Sequence, residues 1–226
     1  MDVKFLGVGS AYSYKDDCTS CYWKEGTVIY FIDMGEKIAS KVIDLGLLSD
    51  VTAVNIFITH MHSDHIGSLQ TLISYITHFT PIKDVAIIYP QKEMLESYLK
   101  LLNYKEGAKF IDDEAFQLNG LHIEAIPQVH IHDSYGYIVK GKDDGFFYSG
   151  DTSVLSLDAL DLLKGNVINR IYHEVAPHSS SMHMGIDDLT KLVPPSMREK
   201  FILMHFESDE LKEKCLSLGF KVAFSV

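Results

Sequence analysis

Apolar residues along the chain fall into short runs separated by glycine or charged turns, and the spacing within those runs changes from one third of the sequence to the next. "VKFLGVG" and "TVIYFIDMG" are β-rich runs ended by glycine, while "VNIFITH" is nearly continuous, as in a strand buried on both faces. Helical spacing follows in "IGSLQTLISYITHF" and "QKEMLESYLKLL", which bracket the strand "VAIIYP" and give the alternation of α/β layers. From Phe116 the pattern shortens to "FQLNG", "LHIEAIP", "SYGYIVKG" and "GFFYSGD", with a tight hairpin turn at Asp143, Asp144 and Gly145. It then returns to strand and helix. "INRIYHEVA" precedes a helix from about Gly185 to Val193, "KFILMHF" precedes one from Glu207 to Leu218, and "KVAFSV" reads as a last strand. Strands at both ends with helices in both halves predict two packed sheets with helices outside.

Composition narrows the setting. The 226 residues, 46% of them hydrophobic, suffice for a sizeable core, and the expectation is one domain over 1–226, with Pro194-Pro195 read as a helix stop. No apolar span is long enough for a membrane and "MDVKFLGVGS" lacks a signal-peptide layout, so a cytoplasmic protein is expected. Three cysteines are too few for a disulfide framework. Cys18 and Cys21 form a CxxC, which is half of a tetrahedral zinc site and reads first as two reduced thiols in a loop. Twenty basic against 31 acidic side chains give a net charge of -11, which disfavours long nucleic acid as a partner.

The chemistry concentrates in "ITHMHSDH", where a strand ends at His60 and a helix is expected to begin after His65. His60, His62, Asp64 and His65 then sit on the turn at the carboxyl end of a strand, the edge where α/β folds place their sites. His60 and His62 alternate in an extended segment and point one way, whereas the turn swings Asp64 and His65 toward a second point. One metal leaves ligands over and two do not. Three later strand ends offer the remainder: His130 in "IPQVHIHD", Asp151 in "FFYSGDT" and His205 in "FILMHF". Imidazole and carboxylate ligands without thiolate suit zinc, with manganese or iron as alternatives.

"HMHSDH", a later histidine, "SGDT" and a final histidine after an apolar strand together resemble the metallo-β-lactamase fold, an αββα sandwich of two mixed sheets carrying a two-metal site. That resemblance implies one divalent ion on His60, His62 and His130, a second on Asp64, His65 and His205, and Asp151 bridging them. "YHEVA" followed by "HMGIDDL" is similar to the ribonuclease Z branch, which maps a proton-donating role onto His183 and a supporting one onto Glu174. Transfer-RNA-trimming members carry a long arm between the positions matching His130 and Asp151, whereas here residues 131–150 hold a single hairpin. The amino-terminal "GVGSAYSYKDD" and "FIDMGE" also depart from that branch.

Motif set and missing arm together most resemble the anti-Pycsar phosphodiesterases of phages. That resemblance implies opening of cyclic nucleotide second messengers in a homodimer in the cytoplasm (the host's, for a phage gene); two metals there would hold a bridging hydroxide, with Asp64 the candidate acceptor of its proton. The alternatives are a ribonuclease Z-type transfer RNA 3′ endonuclease, a thioester or lactone hydrolase of the same fold, and a metal-stabilised scaffold. Tyr12, Tyr14, Tyr22 and Trp23, assigned to an amino-terminal loop, are candidates for stacking on a base, with core packing as the alternative. His173 divides evenly between a core and a functional role. His78, His122, His132 and His178 are expected to be ordinary surface or structural residues, His132 being the nearest rival to His130.

Overall fold

The computed structural model describes residues 1–104 and 106–226. Two mixed sheets carry the chain, one from each half. In the first, β1 (Lys4–Gly7), β2 (Ser20–Glu25), β3 (Val28–Ile32), β4 (Ala53–Phe57), β5 (Asp84–Ile88) and β6 (Lys109–Ile111) lie in sequence order, antiparallel up to β3 and parallel beyond it. In the second, β7 (Ala115–Leu118), β8 (Leu121–Pro127), β9 (Tyr135–Lys140) and β10 (Gly145–Tyr148) form an antiparallel meander. From β10 the pairing turns parallel through β11 (Arg170–Glu174), β12 (Phe201–Met204) and β13 (Lys221–Val222). The change in apolar spacing near Phe116 is therefore the passage from one sheet to the other.

Aromatic side chains join the two inner faces. Trp23 of β2 meets Phe146 of β10 edge-on at 5.4 Å, Phe57 meets Tyr137 at 5.2 Å, and Phe5 meets Tyr172 at 5.5 Å between ring centroids. The Tyr137 hydroxyl crosses the sandwich to donate to the Ile58 carbonyl at 2.7 Å, whereas Trp23 Nε1 and the Tyr148 hydroxyl are buried without a partner. Helices close the outer faces. Helix α3 (Leu69–Phe79) buries Leu69, Leu72, Ile73 and Ile76 at helical spacing, and α5 (Leu157–Lys164) buries Ala159, Leu160 and Leu163. The remaining α-helices among the described residues are α1 (Ile38–Asp44), the single turn α2 (Ser63–Ile66), α4 (Lys92–Leu101), α6 (Ile186–Leu192) and α7 (Asp209–Ser217), with a 3-10 helix at Pro195–Lys200. This is the αββα arrangement expected from the sequence.

Three expectations need correction. The helix after "ITHMHSDH" does not start past His65, because α2 already contains Asp64 and His65 and is separated from α3 by Gly67 and Ser68. Tyr22, Trp23 and Cys21 are not in a loop: they lie in β2, are buried, and Trp23 stacks on Tyr30 at 4.9 Å, which assigns both aromatics to packing. "KVAFSV" is a strand only over Lys221–Val222; beyond it Ser225 bridges to Phe5 and Val226 donates to the Phe5 carbonyl at 2.9 Å, so the chain crosses onto the first sheet.

Candidate metal centre

β4 ends at Phe57; His60 and His62 follow on the connection into α2, and Asp64 and His65 lie within α2 itself. His60 Nε2 lies 3.0 Å from His62 Nδ1, and His130 Nε2, arriving from the loop after β8, lies 3.2 Å from the same atom. Three imidazole nitrogens aimed at one another share few protons, whereas a cation satisfies all three lone pairs. Beside them Asp64, His65, Asp151 and His205 form a second, fully buried group, each group having its donor atoms within 4.8 Å of one another. Asp151, at the end of β10, faces both. Its oxygens stand 3.5 Å from His65 Nε2 and 3.3 Å from His205 Nε2, and also 3.8 Å from His130 Nε2 and 4.0 Å from His60 Nε2.

The residues fit divalent cations by their own chemistry. His65 Nε2 is buried with no hydrogen-bond partner, although two carboxylates lie nearby, the arrangement of a ligand atom aimed at a cation. Burial alone disfavours a charged His65, but Asp151, Asp33 and Asp64 outweigh it and push its pKa well above the usual histidine value. Burial likewise opposes ionisation of Asp151, yet His205 and His65 hold its carboxyl well below the usual range. His60 moves the opposite way, its pKa driven well down by burial and then by His65. Burial also opposes a charged His205, but Asp151 and Asp64 raise its pKa, so a cation at these nitrogens would compete with protons.

Supporting partners orient the rings. His65 Nδ1 donates to Asp33 Oδ2 at 2.7 Å, and Asp33 also accepts from the Thr59 backbone N–H and hydroxyl, each at 2.8 Å. His130 Nδ1 donates to the Met182 carbonyl at 2.8 Å. Each bond leaves the opposite nitrogen free for a metal. Asp33 and His205 both hold a left-handed backbone, φ 63° and 64°, a strained state that non-glycine residues keep mainly where a site demands it. Reading the sequence for ligands missed Asp33, whose buried acid after the apolar "YFI" was the available signal.

His183 and Glu174 adjoin both groups. His183 Nδ1 lies 3.1 and 3.0 Å from the two Glu174 oxygens, and its ring sits 4.9 Å from His130 and 5.6 Å from His205. Glu174, buried at the end of β11, accepts the Thr152 backbone N–H at 2.6 Å. The Glu174 hydrogen bond raises the His183 pKa, and burial raises that of Glu174, so the pair retains a proton near neutrality. His173 points elsewhere: it is buried, its Nδ1 contacts the Glu174 carbonyl at 2.7 Å, and it joins none of the ligand groups. His132, with 93% of its side chain exposed, pairs with Asp133 and stays outside the cluster. Cys18 and Cys21 are free thiols, and neither joins a group of three or more ligands among the described residues. A cleft of about 590 Å³ opens over the cluster, lined by His62, Asp64, His130, Asp151, His183 and His205 among others.

With this geometry in place, the family model for "Anti-Pycsar protein Apyc1" matches residues 1–222. The chain belongs to that family. An anti-Pycsar protein Apyc1 from Paenibacillus harenae is 27% identical over 225 residues, covering 91% of this chain and 90% of that protein. A ribonuclease Z from Oceanobacillus iheyensis is 29% identical over 184 residues, which is 76% of this chain but 58% of that enzyme. The solved structure of the short form of human tRNase Z superposes with a TM-score of 0.72 at 18% identity, covering 100% of this chain and 96% of that one. Family and ligand cluster together make this member a metal-dependent hydrolase of the metallo-β-lactamase fold, in the ribonuclease Z-like branch.

Proposed function

We propose that the protein is a two-metal phosphodiesterase that opens cyclic nucleotide second messengers. The observation that carries this reading is the His183–Glu174 pair set against both ligand groups, since a poorly departing ribose oxygen needs a positioned acid. In this reading His60, His62 and His130 hold one ion, Asp64, His65 and His205 hold the other, and Asp151 serves both. Zinc is the preferred ion, with manganese as the alternative. Bound there, divalent ions supply Lewis acidity toward the phosphoryl oxygens and a nucleophilic water at neutral pH.

The chain's own groups move the protons. Asp64 takes the proton lost by the attacking water. His183, held by Glu174, gives one to the departing ribose oxygen as the phosphorus–oxygen bond breaks, leaving a linear nucleoside monophosphate. Residues 1–226 would act as one catalytic domain, in a cytoplasmic homodimer whose oligomeric state sedimentation can test.

The similarity to ribonuclease Z supports a second reading, a transfer RNA 3′ endonuclease. Here the stretch between His130 and Asp151 folds as the short β9–β10 hairpin. The deciding experiment offers 3′,5′-cyclic nucleotides, bis(p-nitrophenyl) phosphate and a precursor transfer RNA to the protein, with and without chelator. Chelator-sensitive opening of the cyclic nucleotides with intact transfer RNA is expected. Cleavage of transfer RNA alone overturns the proposal in favour of the second reading.

A further inference from the structure

One wall of the cleft has no part in the reaction outlined above. Ser10, Ala11, Tyr12 and Tyr14 contribute to its lining, and they belong to a loop that is tied down at both ends. At the root, Ser10 donates to the Phe206 carbonyl at 3.0 Å and Phe206 donates to the Val8 carbonyl at 2.8 Å, beside His205. At the return, Val8 and Gly9 donate to the carbonyls of Asp16 and Asp17 at 3.0 and 2.8 Å. Across the outside, Lys212 pairs with Asp16 at 2.7 Å and Lys15 pairs with Asp209, fastening the loop to α7.

A loop held by so many bonds need not leave large rings in water, yet Tyr12 and Tyr14 are 86% and 74% exposed. Both stand in the cleft lining. The same lining contains no lysine or arginine among the described residues, and Glu36 and Glu207 sit in it. Whatever part of a ligand lies beyond the metal-bound phosphate is therefore not held by cationic contacts, and a second phosphate meets carboxylates. A flat, neutral heterocycle suits this wall: its face stacks on tyrosine, and its ring amino or imino hydrogens find acceptors in Glu36 or Glu207. The cleft volume of about 590 Å³ lies within the ordinary range for a small-molecule site.

Resting on the phosphodiesterase reading, we propose that Tyr12 and Tyr14 form the nucleobase-stacking wall of the site, so that this fastened loop selects a single base-bearing cyclic phosphodiester. The rings act by position, so their hydroxyls are dispensable.

The test compares a 3′,5′-cyclic nucleotide with the base-less ribose 3′,5′-cyclic phosphate, using the parent, Tyr12→Ala, Tyr14→Ala, the double alanine variant and the double phenylalanine variant, all zinc-loaded. The double alanine variant should raise KM for the nucleotide about tenfold or more with kcat little changed, leave the base-less substrate as in the parent, and be rescued by phenylalanine. Equal losses on both substrates, or none on either, overturn the proposal. If the parent opens neither substrate, the phosphodiesterase reading fails by itself, and calorimetric binding of the linear mononucleotide then decides the stacking wall. A dissociation constant about tenfold weaker in the double alanine variant upholds it, and parity with the parent overturns it.

Discussion

At the residue scale, the site separates the groups proposed to bind metal from groups that aim them. Asp33 belongs to the second kind: it is fully buried and receives three hydrogen bonds, from Thr59 twice and from His65 Nδ1. Asp33→Asn keeps the shape and tolerates the left-handed backbone at this position, φ 63°. With an amide nitrogen facing it, His65 Nδ1 becomes an acceptor and the ring proton moves to Nε2, the atom that faces Asp64 and Asp151. Zinc affinity should fall about 10- to 100-fold, read by competition with a chromogenic chelator. An affinity equal to the parent's would remove Asp33 from this role. His183→Ala should do the reverse, keeping full zinc content while turnover of a cyclic nucleotide falls about 10²- to 10⁴-fold. Full zinc with full activity would strike His183 from the mechanism.

At the element scale, the proposed ligands sit where strands stop, and that is why the cluster the structure brings together could be picked out from the sequence. An apolar run ended by histidine or aspartate needs no tertiary knowledge to be noticed, and His60, Asp151 and His205 all carry that signature. Asp33 has it too, after β3, but no second ligand type nearby marked it out. Trp23 was misplaced for a different reason. The short β2 "SCYWKE" ends in two charged residues and shows no alternation, so only its pairing with β3 identifies it as a strand. The loop carrying His183 depends on packing in the same way. Ala176 donates to Met184 and Ile186 to Ala176, at 2.8 and 3.0 Å, closing residues 177–185 into a knot, within which Gly185 has no space for a side chain. A Cβ there would stand 2.3 Å from the Ser179 backbone nitrogen. Gly185→Ala should therefore shift His183 and lower kcat at least tenfold. Zinc content should fall less than kcat, because all seven proposed ligands lie outside that knot and only His130 leans on it, through the Met182 carbonyl. A variant with parental kcat would show that the loop adapts without moving its histidine.

At the scale of the whole molecule, the proposed metal centre also joins the two sheets. His60, His62, Asp64 and His65 leave the first sheet after β4, while His130, Asp151 and His205 leave the second after β8, β10 and β12. Cations held between them bind the native state and not the separated halves of an unfolded chain, so stability must rise with free metal. Once free zinc exceeds the dissociation constant, each tenfold increase adds about 1.4 kcal/mol per bound ion. For a chain of this size that corresponds to roughly 3 to 6 °C per ion in the melting temperature. Thermal scans in zinc buffers spanning several decades should show this slope, and excess chelator should give the lowest melting temperature of the series. The slope also reads stoichiometry, since two ions bound only by the native state double it. A melting temperature flat across the zinc series would mean that the seven residues do not hold zinc between the sheets, whatever the hydrolase does with another ion.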